Sequence, residues 1–533
     1  MIDISLYNVS LDYGFGEILD KISLNIKYGE KVALIGDNGV GKSSIFKLIT
    51  REETPTSGSI SIRKNVTIGY LSQDTKLRTE DLKVKDVLYQ SIEELIHMRD
   101  KLKEYEDKMS LATPKNLDKL ILKYTTLQDN FISLGGYEID ERVGKVIKGF
   151  KLERLLDTQY SNLSGGEKRI VEFATLMIQN PDIMLLDEPT NHLDIKTLEW
   201  LENILKNYKG TLLFISHDRY FLDRVSNRII YLERGKTHEY SGNYSYFLEE
   251  NENRIMQEFK DYKDQQKLIK AMKESIKKLR EFGTLGDDAR FFKRANSIEK
   301  RLEKLEKIKR PISKKKIPIS FNSETRSGKD VLTIKDFDFA FADRTLFNHA
   351  SMSIKYGDCV CLIGKNGSGK STLINTILNG HEQIRLGTNI RIGYIPQEIQ
   401  FPANKRVYEI AREHYSGEES HLRSALYKFM FDKNSIYKSV SSLSGGEKVR
   451  LKLFCLMQSD INFLILDEPT NHIDISTRET LEDALNDFEG TILFVSHDRY
   501  FINKIATKII AIEDEKLLEY PGNYDDYHRH LSN

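Results

Sequence analysis

Residues 36–43, Gly36-Asp37-Asn38-Gly39-Val40-Gly41-Lys42-Ser43, and residues 364–371, Gly364-Lys365-Asn366-Gly367-Ser368-Gly369-Lys370-Ser371, write one pattern twice in a chain of 533 residues. Each follows a short apolar run, Lys31 to Ile35 in the first copy, and leads into helical spacing. Glycine lets the backbone curl until its N–H groups point at one centre, and a helix start adds the positive end of its dipole there. Such a cradle suits the phosphates of a nucleotide. Lys42 and Lys370 then reach the outer phosphates, Ser43 and Ser371 offer hydroxyls to Mg²⁺, and Ser44 and Thr372 complete the turn.

The flanks repeat as well. Tyr13, Gly29 and Gly36 match Phe341, Gly357 and Gly364 at an offset of 328; Tyr70 and Gln73 match Tyr394 and Gln397 at 324; residues 163–244 match residues 443–524 at 280. The fall from 324 to 280 places 44 extra residues in the first copy, within about 77–134. Apolar residues recur there at helical spacing on either side of Thr113-Pro114, which predicts a helical arm. Runs such as Lys31 to Ile35, Ile183 to Leu186 and Leu212 to Ile215 are short, bounded and rich in Ile, Leu and Val. They suit strands buried on both faces, so each copy reads as an α/β domain with a largely parallel sheet, the first over 1–245 and the second over 326–533.

Between them, 246–325 loses its strand and turn signals. Ile255, Phe259, Tyr262, Ile269, Met272, Ile276 and Leu279 form one apolar stripe, and Phe291, Ala295, Ile298, Leu302, Leu305 and Ile308 form a second, ended by Pro311. The expected structure is an antiparallel helical hairpin that breaks across 282–288, with its tip at about 281–292. A first helix of about 35 residues would reach roughly 50 Å. From Asn251 to Lys316 there are 21 Lys/Arg against 11 Asp/Glu, so a chain of zero formal net charge divides into a basic arm and an acidic remainder of 59 against 69. Length, basicity and an aromatic tip together favour contact with a phosphate backbone.

Ile183-Met184-Leu185-Leu186-Asp187-Glu188 and Phe463-Leu464-Ile465-Leu466-Asp467-Glu468 each end an apolar strand in two carboxylates. Asp187 and Asp467 suit Mg²⁺ held through water, whereas Glu188 and Glu468 suit a base that orients attacking water. His217 and His497 each follow a further apolar strand, where a strand end would face the terminal phosphate. Ser164-Gly165-Gly166 and Ser444-Gly445-Gly446, within Leu-Ser-Gly-Gly-Glu, offer a second anion cradle per copy. A surplus cradle makes sense if the copies face each other head to tail, each closing the other's nucleotide.

Together with Gln73, Gln397 and the Asp-Glu-Pro-Thr-Asn-His-Leu-Asp stretch at 187–194, these motifs resemble the ATP-binding-cassette superfamily. Two cassettes, the Glu-Pro-Thr-Asn-His extension and a long helical linker are similar to its ABC-F subfamily. The resemblance covers essentially the whole chain. It implies two P-loop ABC-type nucleotide-binding domains joined by a helical hairpin, ATP hydrolysis at two composite sites, and Mg²⁺ held by Ser43, Gln73 and Asp187 and by Ser371, Gln397 and Asp467. It also implies that Tyr13 and Phe341 stack on adenine, and that the chain docks in the exit site of the 70S ribosome, its linker toward rRNA and the P-site tRNA. A monomer closing as an intramolecular sandwich, with neither membrane nor DNA as partner, is the matching expectation.

The tip, with Phe282, Leu285, Arg290, Phe291, Phe292, Lys293 and Arg294, resembles the antibiotic-resistance members of Gram-positive bacteria. That implies protection of the peptidyl-transferase centre against pleuromutilins, lincosamides and streptogramin A compounds, hydrolysis releasing the protein. The alternative is a housekeeping translation factor acting on stalled ribosomes, whose linkers are usually richer in Arg. A third reading, the ATPase subunit of an exporter, leaves the basic hairpin without a purpose. Composition agrees with a cytoplasmic protein: 39% of residues are hydrophobic and 30% charged, no long apolar run occurs, and the start shows no export signal. Cys359, Cys361 and Cys455 read as packed thiols in a reducing compartment.

Overall fold

The computed structural model describes residues 1–533 except 15, 73–81, 112–113, 192, 287–288, 306–307, 309–325, 342–343, 366, 471–472 and 533, and except the side chains of 17, 114, 115, 286, 476 and 532. Each cassette is built on a six-stranded sheet. In the first the order is Ile68–Leu71, Ile183–Asp187, Thr211–Ile215, Lys31–Ile35, Arg228–Glu233 and Lys236–Tyr240, parallel except for the last strand. The second repeats it with Ile392–Ile395, Phe463–Asp467, Thr491–Val495, Cys359–Gly364, Lys508–Glu513 and Lys516–Pro521. Ile183–Asp187 and Phe463–Asp467 are buried at every position, as strands covered on both faces must be. A three-stranded antiparallel sheet accompanies each, Glu17–Lys27, Ile2–Asp12 and Ser57–Ile62 in the first. The sequence signals of parallel strands did not reveal this second sheet, because its members alternate in burial.

The surplus of the first copy folds as two packed helices, Glu93–Ser110 and Pro114–Ser133. Proline opens the second, where its missing N–H costs nothing. Among the described residues no helix is long and apolar enough to cross a membrane. Cys361 and Cys455 are buried, and all three thiols are unbridged.

Both cassettes belong to one compact body, Met1–Asn243 with Ile317–Asn533. They meet through a repeated charge pair. Arg219 forks onto Glu482 and Arg499 forks onto Glu202, with all four side chains buried. Each guanidinium also lies over a tyrosine of the other cassette, Arg219 at 4.0 Å from the Tyr500 ring and Arg499 at 4.2 Å from Tyr220. The planar, permanently charged fork of Arg suits carboxylate on its edge and aromatic on its face.

Tyr244–Lys316 forms a separate unit. Its first helix spans Tyr244–Gly286, 43 residues and about 65 Å, and the second spans Ala289–Glu303. The expected break at 282–288 is therefore corrected: helix continues through Phe282, Gly283 and Leu285. Gly283 acts as a packing slot, since a Cβ there would stand 2.7 Å from the Phe292 ring. That contact offsets the roughly 1 kcal/mol a helical glycine costs. The Phe282 and Phe291 rings lie 6.2 Å apart, and Arg280 bridges to Glu299 at 2.7 Å, tying the two helices together.

Candidate functional site

The two phosphate loops have the geometry their glycines allow. Gly41 and Gly369 both cap the following helix at φ 99°, and a Cβ on either would strike a neighbour, at 2.6 Å from Ile18 and at 2.9 Å from Phe347. Only glycine fits. Lys42 Nζ donates to the carbonyls of Gly36 (2.8 Å) and Asp37 (2.9 Å), and Lys370 Nζ to those of Gly364 (2.9 Å) and Lys365 (3.2 Å). Burial lowers the pKa of both ammonium groups, against the pull of nearby carboxylates. Each loop thus holds a poorly solvated cation against its own carbonyls, an arrangement that phosphate oxygens satisfy better.

Glu188 and Glu468 sit at the strand ends in left-handed backbone, φ 52° and 49°. A non-glycine residue held there costs on the order of 1–3 kcal/mol, and such strain clusters where geometry matters for function. The switch histidines complete the arrangement. His217 Nε2 lies 3.2 Å from Asn38 Oδ1 and 3.4 Å from Glu188 Oε1, while its backbone N–H donates to Glu188 Oε2 at 3.4 Å. His497 Nε2 lies 3.3 Å from Glu468 Oε1. Burial, reinforced by Lys42 and Arg478, holds His217 well below its usual pKa, and burial with Lys370 brings His497 to about 3. Both rings are neutral imidazoles at pH 7, able to pass a hydrogen bond between carboxylate and phosphate.

Burial raises both glutamates to about 7. In the unfolded chain a glutamate titrates near 4.5. Below that value the raised pKa costs nothing; between 4.5 and about 7 the unfolded state gives up a proton the folded state keeps, and stability falls, on the order of 3 kcal/mol per site. The histidines, neutral in the fold, work the other way between pH 5 and 6.5, so the glutamate contribution is read as a difference: without nucleotide and Mg²⁺, the parent's urea midpoint is expected to drop relative to that of Glu188→Gln/Glu468→Gln from pH 5 to pH 8. An unchanged pH profile in the double variant would show that the glutamates are not its source.

The hard oxygen donors a divalent cation needs are partly visible. Ser371 hydrogen-bonds the Asp467 carboxylate, lowering a pKa that burial raises, and Asp467 Oδ1 is buried with no hydrogen-bond partner among the described residues. Gln397 lines the same cavity, of about 370 Å³, as Lys370, Ser371, Thr372 and Glu468. This set fits Mg²⁺. Gln73 and Asn366 lie outside the described residues. Tyr13 and Phe341 are 46% and 72% exposed, leaving their ring faces open, and the Tyr13 hydroxyl is held by Glu53 and by Ser44 Oγ at 3.4 Å, a tether Phe341 cannot make.

Residues of both cassettes line each site. The 370 Å³ cavity at Lys370 is also bordered by Thr190, Asn191 and Leu193, and Glu167 of the first Leu-Ser-Gly-Gly-Glu shares a larger cavity, about 1540 Å³, with Gly364, Lys365 and Ser368. At the other site, Asp474 acts on Lys42, and Arg450, three residues past the second Leu-Ser-Gly-Gly-Glu, feels Asp37. The signature motifs also explain their own glutamates: Ser164 and Ser444 cap the helices Gly165–Gln179 and Gly445–Met457, and Glu167 and Glu447 return the bond in a capping box. Sequence reading missed the partners across the interface, Asp194, Asp474, Arg219, Arg499 and Arg478. For the first four a signal existed, because Ser-His-Asp-Arg-Tyr stands at both 216–220 and 496–500 and both aspartates end the 187–194 motif and its repeat. At the hairpin tip, Phe282 (56%) and Leu285 (85%) are exposed and Phe291 is half-buried; Phe292, Lys293, Arg294 and Arg290 follow on the exposed start of the second helix.

The family model described as ABC transporter matches residues 19–191 and 347–471, and a second model of the same description matches 230–321. The chain is 38% identical to the putative ATP-binding protein YdiF of Bacillus subtilis, over 99% of this chain and 82% of that protein. It is 34% identical to the energy-dependent translational throttle protein EttA of Escherichia coli, over 96% and 92% respectively. Among solved structures, archaeal ribosome recycling factor aABCE1, in complex with stalk protein aP1, superposes with a TM-score of 0.63 at 18% identity, covering 98% of this chain and 92% of that one. At that identity the likeness shows the tandem fold alone.

Proposed function

The chain belongs to the ABC-F family of ATP-binding-cassette ATPases, and on that premise we propose that it is a cytoplasmic translation factor that binds the ribosome with ATP and leaves on hydrolysis. The single observation that carries this reading is the pair of composite sites within one body, each drawing residues from both cassettes. Glu188 and Glu468 polarise the attacking water, His217 and His497 bridge carboxylate and phosphate, and Lys42 and Lys370 leave their own carbonyls for the outer phosphates. Bound Mg²⁺ would neutralise charge developing on the phosphates, held by Ser43 and Asp187 and by Ser371, Gln397 and Asp467. Closure excludes water, and hydrolysis reopens the pair.

The hairpin supplies the surface that meets nucleic acid. Apart from Arg254, which is partly buried against Glu258, the Lys and Arg side chains described on both helices are exposed, and we assign them to rRNA and the P-site tRNA. Protection against drugs, the reading suggested by the aromatic tip, has less support than translation control, because a relative that spans nearly the whole chain is named a translational throttle. Reversing charge at Lys277, Lys278, Arg290, Lys293 and Arg294 is expected to weaken ribosome co-sedimentation about tenfold or more and to flatten its salt dependence, with ribosome-free ATP hydrolysis unchanged. Unaltered co-sedimentation would remove the hairpin from the interface. Growth of a susceptible host carrying the gene, under lincomycin, tiamulin and virginiamycin M, separates the two roles: translation control predicts no gain in resistance.

A further inference from the structure

The two cassettes repeat at an offset of 280 residues through their catalytic halves, so each residue there has a counterpart. The interface obeys that symmetry at Arg219 and Arg499, at Glu202 and Glu482, and at Tyr220 and Tyr500. The repeat departs from that symmetry at Arg169 against Val449, at Ile170 against Arg450 and, buried in both copies, at Arg478, which stands where the first cassette has Leu198.

Arg478 reaches across the boundary with one of its three hydrogen bonds. Its Nη1 donates to the backbone carbonyl of His217 in the first cassette (2.7 Å) and to Asp498 Oδ2 in its own (2.8 Å), and its Nη2 donates to the carbonyl of Thr470 (2.9 Å). His217 is thereby held from three directions: the carbonyl by Arg478, the N–H by Glu188, and the ring by Asn38. Among the described residues the opposite site shows no such tie, and Leu198 offers no donor to the His497 carbonyl. The aspartates record the same inequality. Asp498 meets Arg478 at 2.8 Å, whereas the cation beside Asp218 is Arg499 at 3.9 Å. Burial works to raise both, yet Arg478 and Arg219 bring Asp498 below its ordinary pKa while Asp218 stays above it.

We propose that Arg478 is a positioning residue that locks the backbone of His217 to the opposing cassette, so that the site built on Lys42 hydrolyses ATP faster than the site built on Lys370. The lock is made only when the cassettes are together, because one partner belongs to each. It adds no group to the reaction. It fixes the histidine and glutamate relative to the attacking water, where displacement by a fraction of an ångström is felt in rate. The inference rests on the hydrolytic reading of both sites given above.

The test uses the full chain with one site silenced at a time, Glu468→Gln leaving the Lys42 site and Glu188→Gln leaving the Lys370 site. Single-turnover ATP hydrolysis is measured in each, and the Lys42 site is expected to be the faster. Arg478→Leu, which copies Leu198, should then lower the maximal rate of the Lys42 site about tenfold, with the ATP concentration for half-maximal rate changed less than about twofold, and should lower the Lys370 site at least fivefold less. Arg478→Lys keeps the charge beside Asp498 but cannot span three acceptors. It should restore part of the rate and still show the selective loss, and it decides the matter if Arg478→Leu does not fold. Equal losses at the two sites, the pattern of a merely structural role, would overturn the proposal, as would no loss at the Lys42 site. If the Glu188→Gln/Glu468→Gln chain hydrolyses ATP at the parent rate, the assignment of the glutamates fails, and the inference built on it fails with them.

Discussion

Glu188→Gln together with Glu468→Gln is expected to slow ATP hydrolysis by about 10²- to 10⁴-fold while leaving ATP binding intact. Glutamine keeps the size and hydrogen-bonding shape of the side chain but cannot accept the proton of an attacking water. The lysines, serines and the cradle of backbone N–H groups are untouched, so the double variant should hold ATP with the cassettes closed and accumulate on ribosomes. Phosphate release and ATP-dependent co-sedimentation read the two halves of this expectation separately. A double variant that turns over normally would move the base elsewhere, whereas one that is inactive but never pelleted with ribosomes would break the link between closure and docking.

The second large effect concerns the charge pairs at the boundary. Glu202→Leu leaves Arg499, a fully buried and permanently ionised guanidinium, with Asp218 at 3.9 Å and the Tyr220 ring at 4.2 Å in place of its bidentate partner. Removing one member of a buried pair costs about 3–5 kcal/mol, and the nearby aspartate argues for the lower end, about 3 kcal/mol. Removing both, in Glu202→Leu/Arg499→Met, is expected to recover most of that loss, since desolvation of the two charges no longer has to be offset. The sole tryptophan, Trp200, packs on Phe150 at 4.9 Å on the same helix as Glu202, so its fluorescence reports the urea midpoint of this region. If the single and double variants shifted equally, the pair would not be acting as a unit.

The two candidate nucleotide sites could be proposed from the sequence because their chemistry is local. A phosphate loop, a Ser-Gly-Gly helix start, and an Asp-Glu at a strand end each declare themselves within a few residues, and repetition in register removes the ambiguity of a short motif. The parallel sheets were legible for a similar reason, since strands buried on both faces read as unbroken apolar runs. What joins the cassettes was not. Arg219 and Glu482 are 263 residues apart, and an arginine in sequence gives no sign of whether its fork will meet water or a buried carboxylate. Arg478 was overlooked for a different reason, being one of several positions at which the two copies differ, with nothing in the sequence to single it out. The break expected across 282–288 misled at Gly283, which lies within the helix as a notch for the Phe292 ring, and only the facing helix reveals that use.

The backbone twist at Glu188 and Glu468 carries a consequence for how this protein could be lost. Because the peptide there is wound against the preference of any residue bearing a side chain, a mutation to glycine would relax the loop and remove the reactive group in one step. Such a chain should resist unfolding better than its working parent. Selection for durability alone would therefore drift toward silent copies, and only continued demand for turnover keeps the less comfortable residue in place.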